Sequence, residues 1–253
     1  MLYHANFGLS KNGIIFMCFY SSNSKRALAL AKRYGLKTNV IEMAEEILKE
    51  QQYRINAFTY PACPIVTESP SMEVAHWGLI PSWTKTAGDA RKIRNMCLNA
   101  RSETVFTKPV FRTSILSKRC LFPSTGYFEF HHQDKTITPY YLFLKDEEIF
   151  SIAGMYELWA NPLTNETTQT FTILTVEANE LCKQIHNGGK NPFRMPLIIE
   201  KEYEKFWLDK TLKSIDIQQF FLPYDHEKMD AYPISKDFLK KLPDDPTIIE
   251  RAA

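Results

Sequence analysis

Between residues 119 and 176 the chain passes through five short runs of aromatic and β-branched residues, at 119–122, 126–131, 140–144, 149–155 and 168–176, with short polar turns between them. Runs of that length and composition predict strands, and connections that short join antiparallel neighbours. Runs at 57–60 and 74–80, the latter stopped by Pro81, and another at 195–199 extend the series. Helical spacing lies on the flanks: 26–34, preceded by capping residues at Ser21 to Ser24 and closed by Gly35, then 40–51, 178–185 and 200–221. Residues 84–98 read as a basic loop or short helix, and the last thirty as a strand or loop, a short helix and a frayed end. The expected class is α+β: a single domain with a mostly antiparallel, barrel-like β core and peripheral helices.

The 253 residues are ample for one buried core. Hydrophobic content of 44% and charged content of 24% are ordinary for a globular chain, and no apolar run reaches the ~18 residues of a membrane span. A net charge of +2 is too small to announce a nucleic-acid partner, but its distribution is uneven. Nine basic residues (Lys85, Arg91, Lys92, Arg94, Arg101, Lys108, Arg112, Lys118, Arg119) stand against Asp89 and Glu103 in one stretch. That stretch is a candidate phosphate-contacting surface; its plainer reading is a solvated loop balanced by acidic helices. Five cysteines (Cys18, Cys63, Cys97, Cys120, Cys182) without a CxxC pair fit neither a disulfide framework nor a zinc site and point to a reducing cytoplasm. No metal or organic cofactor is expected. Residues 1–17 lack the basic start, apolar core and cleavage site of a secretory signal.

Asn99 and Glu129 sit among apolar neighbours beside turn or glycine signals, where a buried polar side chain needs a compensating partner. Together with Cys18 and His186 they are the candidates for chemistry. Each alone has a plainer explanation: a cysteine as a small core hydrophobe, an asparagine as a turn former, a strand glutamate facing water, and a histidine after a helix as a cap favoured by the macrodipole.

Their joint case rests on a pattern. His76-Trp-Gly-Leu-Ile-Pro-Ser-Trp83, Asn99-Ala-Arg-Ser-Glu-Thr104, Gly126-Tyr-Phe-Glu129-Phe130, Ile173-Leu-Thr-Val-Glu-Ala-Asn179, and Ile185-His186 ahead of Arg194-Met-Pro196 occur in order. From Met17 to about residue 200 the chain resembles the SOS-response-associated peptidase (SRAP) family. The resemblance implies a protein of the DNA damage response that recognises abasic sites in single-stranded DNA and cross-links to them. Its nucleophile would be a cysteine made N-terminal by loss of the initiator methionine, which maps onto Met17-Cys18. Residues 17–253 would then be the SRAP-like domain. Residues 1–16, which show no clear periodicity, would be an extension absent from the mature protein. A cytoplasmic monomer is expected, associated with the nucleoid when bound to DNA.

The chemistry favours such a nucleophile. An α-amino group titrates at about 7.7–8 and a lysine at about 10.4, so only the former is appreciably neutral at physiological pH. Its attack on the aldehyde of an opened abasic deoxyribose gives a Schiff base. The thiol of an N-terminal cysteine then closes on the imine carbon as a five-membered thiazolidine. By the resemblance, Glu129 serves the amine and thiol, His186 serves the sugar oxygen, and Asn99 holds substrate or amine. Arg101, Lys108, Arg112 and Arg194 would contact phosphates, and Trp83 would stack beside the missing base.

The chain departs from the family pattern in three places. Phe19 and Tyr20 follow Cys18 where the family commonly has Gly-Arg, and seven residues, Asn187 to Phe193, separate His186 from Arg194 where it typically has one. Cys18 is also preceded by seventeen residues. Either translation starts at Met17 and that methionine is removed, which is the expectation, or the extension is cleaved, as by autopeptidase activity. Lyase-type strand cleavage from the Schiff base stays open. Two rival readings are a cysteine peptidase using Cys18 or Cys120 with His186 and Asn99, and a non-covalent single-stranded DNA binder.

Overall fold

The computed structural model describes residues 19–25, 27–36, 52–189 and 191–252. The aromatic and β-branched runs form strands that assemble into two sheets. The first has the order β13-β8-β7-β1-β2 and every pairing in it is antiparallel: β13 (Met229–Pro233), β8 (Thr136–Leu144), β7 (Gly126–Gln133), β1 (Tyr20–Asn23) and β2 (Gln52–Asn56). The second is built around β9 (Phe150–Ala160) and β10 (Thr167–Glu177), which pair antiparallel with Thr167 opposite Ala160 and Ile173 opposite Gly154. Past the end of that pairing, the last residues of β10 take β11 (Arg194–Pro196), also antiparallel. β10 further takes β4 (Glu73–Trp77) and then β5 (Asn99–Arg101), both parallel. β3 (Ala62–Ile65) pairs β4, while β6 (Arg119–Ser124) and β12 (Ile198–Ile199) pair β9. The expected α+β class with a mostly antiparallel core holds, with sheets that curve without closing.

Large side chains from both sheets fill the space between them. Trp77, Phe122 and Phe171 are fully buried, with ring centroids 5.2–5.4 Å apart. A second, smaller cluster covers the opposite face of the first sheet, where Phe128, Phe130 and Tyr141 pack against Ile234, Phe238 and Ile248.

The sheets are joined at a corner that positions the site. β6 belongs to the second sheet and β7 to the first, so Thr125 alone turns the chain between them. Its N–H donates to the Ser22 carbonyl, and the Ser124 hydroxyl lies 3.0 Å from that of Ser21. Tyr141 lies over Gly126, where any Cβ would sit 2.3 Å from the phenol, so only glycine admits the ring.

Helices are peripheral: α1 (Ala27–Tyr34), α2 (Ala87–Met96), α3 (Ser114–Ser117), α4 (Glu180–Ile185), α5 (Glu204–Leu208) and α6 (Ser214–Gln218). Several local expectations are corrected. Ser21 and Ser22, expected among the capping residues, lie instead in β1, because their partners are the distant β2 and β7. The strand expected at 57–60 is instead β2, ending at Asn56, whose side chain caps a 3-10 turn at Ala57–Thr59. The single strand expected at 195–199 is two, β11 on β10 and β12 on β9. The helix expected over 200–221 breaks into α5 and α6, where Asp209 accepts from the N–H and hydroxyl of Thr211 and Asp216 accepts from the Lys213 N–H. The expected frayed end is bridged, Arg251 to Ile234. The helix expected at 40–51 lies outside the described residues. Among the described residues no helix is long and apolar enough to cross a membrane.

Candidate active site at the C-terminal end of β10

Alternation along β7 divides its side chains. Phe128 and Phe130 enter the small aromatic cluster, while the intervening residues turn to α4 and the segment after it. On that side the Tyr127 hydroxyl lies 3.1 Å from Cys182 Sγ, and His131 Nδ1 lies 2.8 Å from the Gln184 carbonyl. Between them is Glu129, 1% exposed, its Oε2 3.7 Å from Nδ1 of the fully buried His186.

His186 caps α4 and its Nδ1 lies 3.0 Å from the Arg194 carbonyl. A carbonyl only accepts, so in the neutral ring Nδ1 carries the proton and Nε2 holds the lone pair. The ring is thus oriented by the backbone, with a carboxylate beside it. That arrangement suits proton transfer, because the orienting bond selects the tautomer and a second proton-carrying group lies beside the ring.

The other polar groups reach the same end of β10. Ile173 pairs with Asn99, Thr175 with Arg101 and Glu177 with Arg194. Both amide atoms of Asn99 are buried without a hydrogen-bond partner. An amide buried in that state is an unmet demand of about 1–3 kcal/mol that a ligand can satisfy. Arg101 donates to the Asn191 side chain, which leaves most of its five N–H donors for another acceptor. Arg194 is differently placed: it forms a two-pronged bond to Glu103 at 2.6 and 3.1 Å and donates to the Thr175 carbonyl at 2.7 Å. Partial burial alone would raise the Glu103 pKa, but the bonds from Arg194 outweigh it and hold the carboxyl below its ordinary range. Arg194 is therefore a largely neutralised cation, and phosphate binding there requires competing with Glu103.

The basic stretch also separates into classes. Arg119 is buried and donates to the Trp207, Ile115, Leu116 and Asp209 carbonyls, Lys118 pairs with Glu157, and Arg94 donates to the Trp77 and Tyr60 carbonyls. Lys85, Arg91, Lys92, Lys108 and Arg112 are exposed and have no ion pair among the described residues. Trp83 is 55% exposed and so is not core, but its loop is fastened at Ile80 to Thr170 and at Ser82 to Glu157. From Thr170 to Glu177 is roughly 20 Å along a strand. The loop that carries Trp83 is thus fastened beside the earlier half of β10.

Cys18 lies outside the described residues; the next residue, Phe19, is buried, and Tyr20 pairs with Phe128, one position from Glu129. The four described cysteines are all buried, and burial raises their thiol pKa values, to about 12 for Cys97 and Cys182 and well upward for Cys63 and Cys120. None resembles an activated nucleophile. Among the described residues no group of three or more His, Cys, Asp or Glu residues could hold a metal.

Sequence reasoning missed two residues at this site. Glu103 lay inside the quoted motif four positions after Asn99, and its pairing with Arg194 depends on β5 and β11 flanking the same strand. Asn191, which holds Arg101, had no local signal beyond the unusual spacing between His186 and Arg194.

A solved structure of a Bacteroides thetaiotaomicron protein superposes with a TM-score of 0.90 at 48% identity, covering 93% of this chain and all of that one. The chain is 40% identical over 161 residues to the abasic site processing protein YoaM of Bacillus subtilis, covering 63% of this chain and 66% of the relative. It is 35% identical over 213 residues to YoqW of the same organism, likewise named an abasic site processing protein, covering 81% and 90%. Residues 17–240 match the family model for the SOS response associated peptidase, and the chain belongs to that SRAP family.

Proposed function

We propose that this chain processes abasic sites in single-stranded DNA by forming a covalent thiazolidine cross-link through Cys18. The observation that carries the reading is the buried pair Glu129 and His186, 3.7 Å apart, in a molecule that also buries the unpartnered amide of Asn99 on β5. Relatives named for abasic site processing support the substrate.

The free α-amine of Cys18 attacks the aldehyde carbon of the ring-opened deoxyribose to give a carbinolamine, which loses water to form an imine. Sγ then adds to the imine carbon and its proton passes to nitrogen, closing the ring with net loss of one water. Glu129 relays protons of the amine and thiol; His186 Nε2 serves the sugar oxygen during ring opening. Asn99 supplies hydrogen bonds to the substrate or the amine. Arg101, Lys108 and Arg112 hold phosphates, with Arg194 a contact only in competition with Glu103. Trp83 contacts nucleotides farther along the strand. The chemistry requires Cys18 to be N-terminal, which initiation at Met17 and removal of that methionine would provide.

Intact-mass analysis of the purified native protein, before and after incubation with a single-stranded oligonucleotide carrying one abasic site, tests the reading. The expected product begins at Cys18 and gains the oligonucleotide mass less one water. Acetylation of the N-terminus should abolish it. An adduct formed by a chain that still begins at Met1 would overturn the role of the Cys18 amine, and a Cys18 chain that forms no adduct would overturn the reaction.

A further inference from the structure

We propose that Phe193 is a stacking platform for the nucleobase next to the abasic position, supplied by the segment between His186 and Arg194. The inference rests on the reading of the site as one for abasic single-stranded DNA, and adds to it a sequence-context preference.

Phe193 occupies the left-handed region, φ 61°, which is unfavourable for an aromatic residue. Its backbone is held there from both sides. Its N–H donates to the His186 carbonyl at 2.8 Å, and its carbonyl accepts from Ala178 N–H at 2.9 Å. Glycine would occupy such a position without penalty, and the same segment has glycine at 188 and at 189, where φ is 86°. At 193 the chain instead keeps a phenyl ring that does not enter the core: the side chain is 45% exposed. A strained, solvent-facing aromatic needs a reason other than folding.

Its position supplies one. Phe193 is adjacent to Arg194, whose carbonyl orients His186, so its backbone lies within two hydrogen bonds of that ring. Two neighbouring side chains are fastened before any ligand arrives. The Asn187 side chain makes paired bonds to the His132 N–H and carbonyl at 2.8 and 3.0 Å, and Asn191 accepts from Arg101. One short segment thus presents a π-face for a base and, through Asn191, a cation for a phosphate. A strand missing one base has lost the stacking at that position, and its neighbouring base gains most from a protein partner.

The test measures equilibrium binding of oligonucleotides carrying one tetrahydrofuran abasic analogue, with adenines on either side or with further tetrahydrofuran residues there. The native chain should bind the adenine-flanked strand about tenfold more tightly. Phe193→Gly, which relieves the backbone and preserves the fold, should lose that preference, as should Phe193→Asn; Phe193→Tyr should keep it. Undiminished preference in Phe193→Gly, or no preference in the native chain, would overturn the proposal. Because the analogue cannot react, the preference is read independently of the cross-link, which a true abasic site in the same strands reports.

Discussion

The two faces of β7 share one backbone and differ in every other respect. Phe128 and Phe130 point into a closed aromatic cluster, where Phe128 stacks on Phe238 at 5.2 Å and the polypeptide after β13 forms the cover. Glu129, between them, points the other way and meets a histidine held by a backbone carbonyl. Both faces are buried to a similar degree, but burial stabilises the first and is a liability on the second, where a carboxyl group has left water. Depth alone does not separate structure from chemistry here; what faces each side chain does.

The sharpest way to break that contrast is to alter one residue on each face. Glu129→Gln keeps the shape and removes the proton acceptor, so the cross-linking rate should fall by about 10²- to 10⁴-fold. The variant's melting temperature should change little, and a large loss of stability with normal chemistry in the folded fraction would show that Glu129 is structural. Phe128→Ala should behave in the opposite sense, costing about 3–5 kcal/mol in denaturant titration while each folded molecule still reacts.

A gentler pair of changes tests the outlying surface. Lys108→Ala and Arg112→Ala should each weaken single-stranded DNA binding a few-fold and reduce the slope of log affinity against log salt by about 0.7. Arg119→Met should leave that slope unaltered, since its guanidinium is spent on main-chain carbonyls. The smallest effect is on pH. Partial burial, then the nearby His186 and His131, depress the His132 pKa below its usual 6.5. The unfolded chain therefore takes up this proton first, so stability is full above about pH 6.5 and declines as pH falls toward the folded value. His132→Gln should flatten that decline in thermal melts between about pH 7 and 5.

Much of the fold was legible because its strands carry their own signal. Residues 126–131, 140–144 and 168–176 alternate or run continuously apolar, and each lies within an observed strand. Glu129 was legible for the complementary reason, a polar group in apolar company, and His186 only through its place after a helix in the family pattern. What escaped reading depends on distant partners. Ser21 and Ser22 look like cap residues, yet they become strand because their hydroxyls meet Ser124 and Thr125 at the corner. Arg101 and Arg194 look alike in sequence, but one faces an asparagine and the other a glutamate, a difference settled by which strands flank β10.

The corner at Thr125 has a consequence in time. Ser22 and Thr125, which hydrogen-bond each other, are 103 residues apart, so β1 can join β7 only after that much more chain has been made. At typical translation rates the interval is roughly 5–20 s. Throughout it the segment leading into β1 is separate from Glu129, and the bonds to His186 do not yet exist. Under the proposed function, an enzyme that removes Met17 from the nascent chain would have its opportunity then, and the Cys18 amine would meet Glu129 and His186 only on completion of the domain.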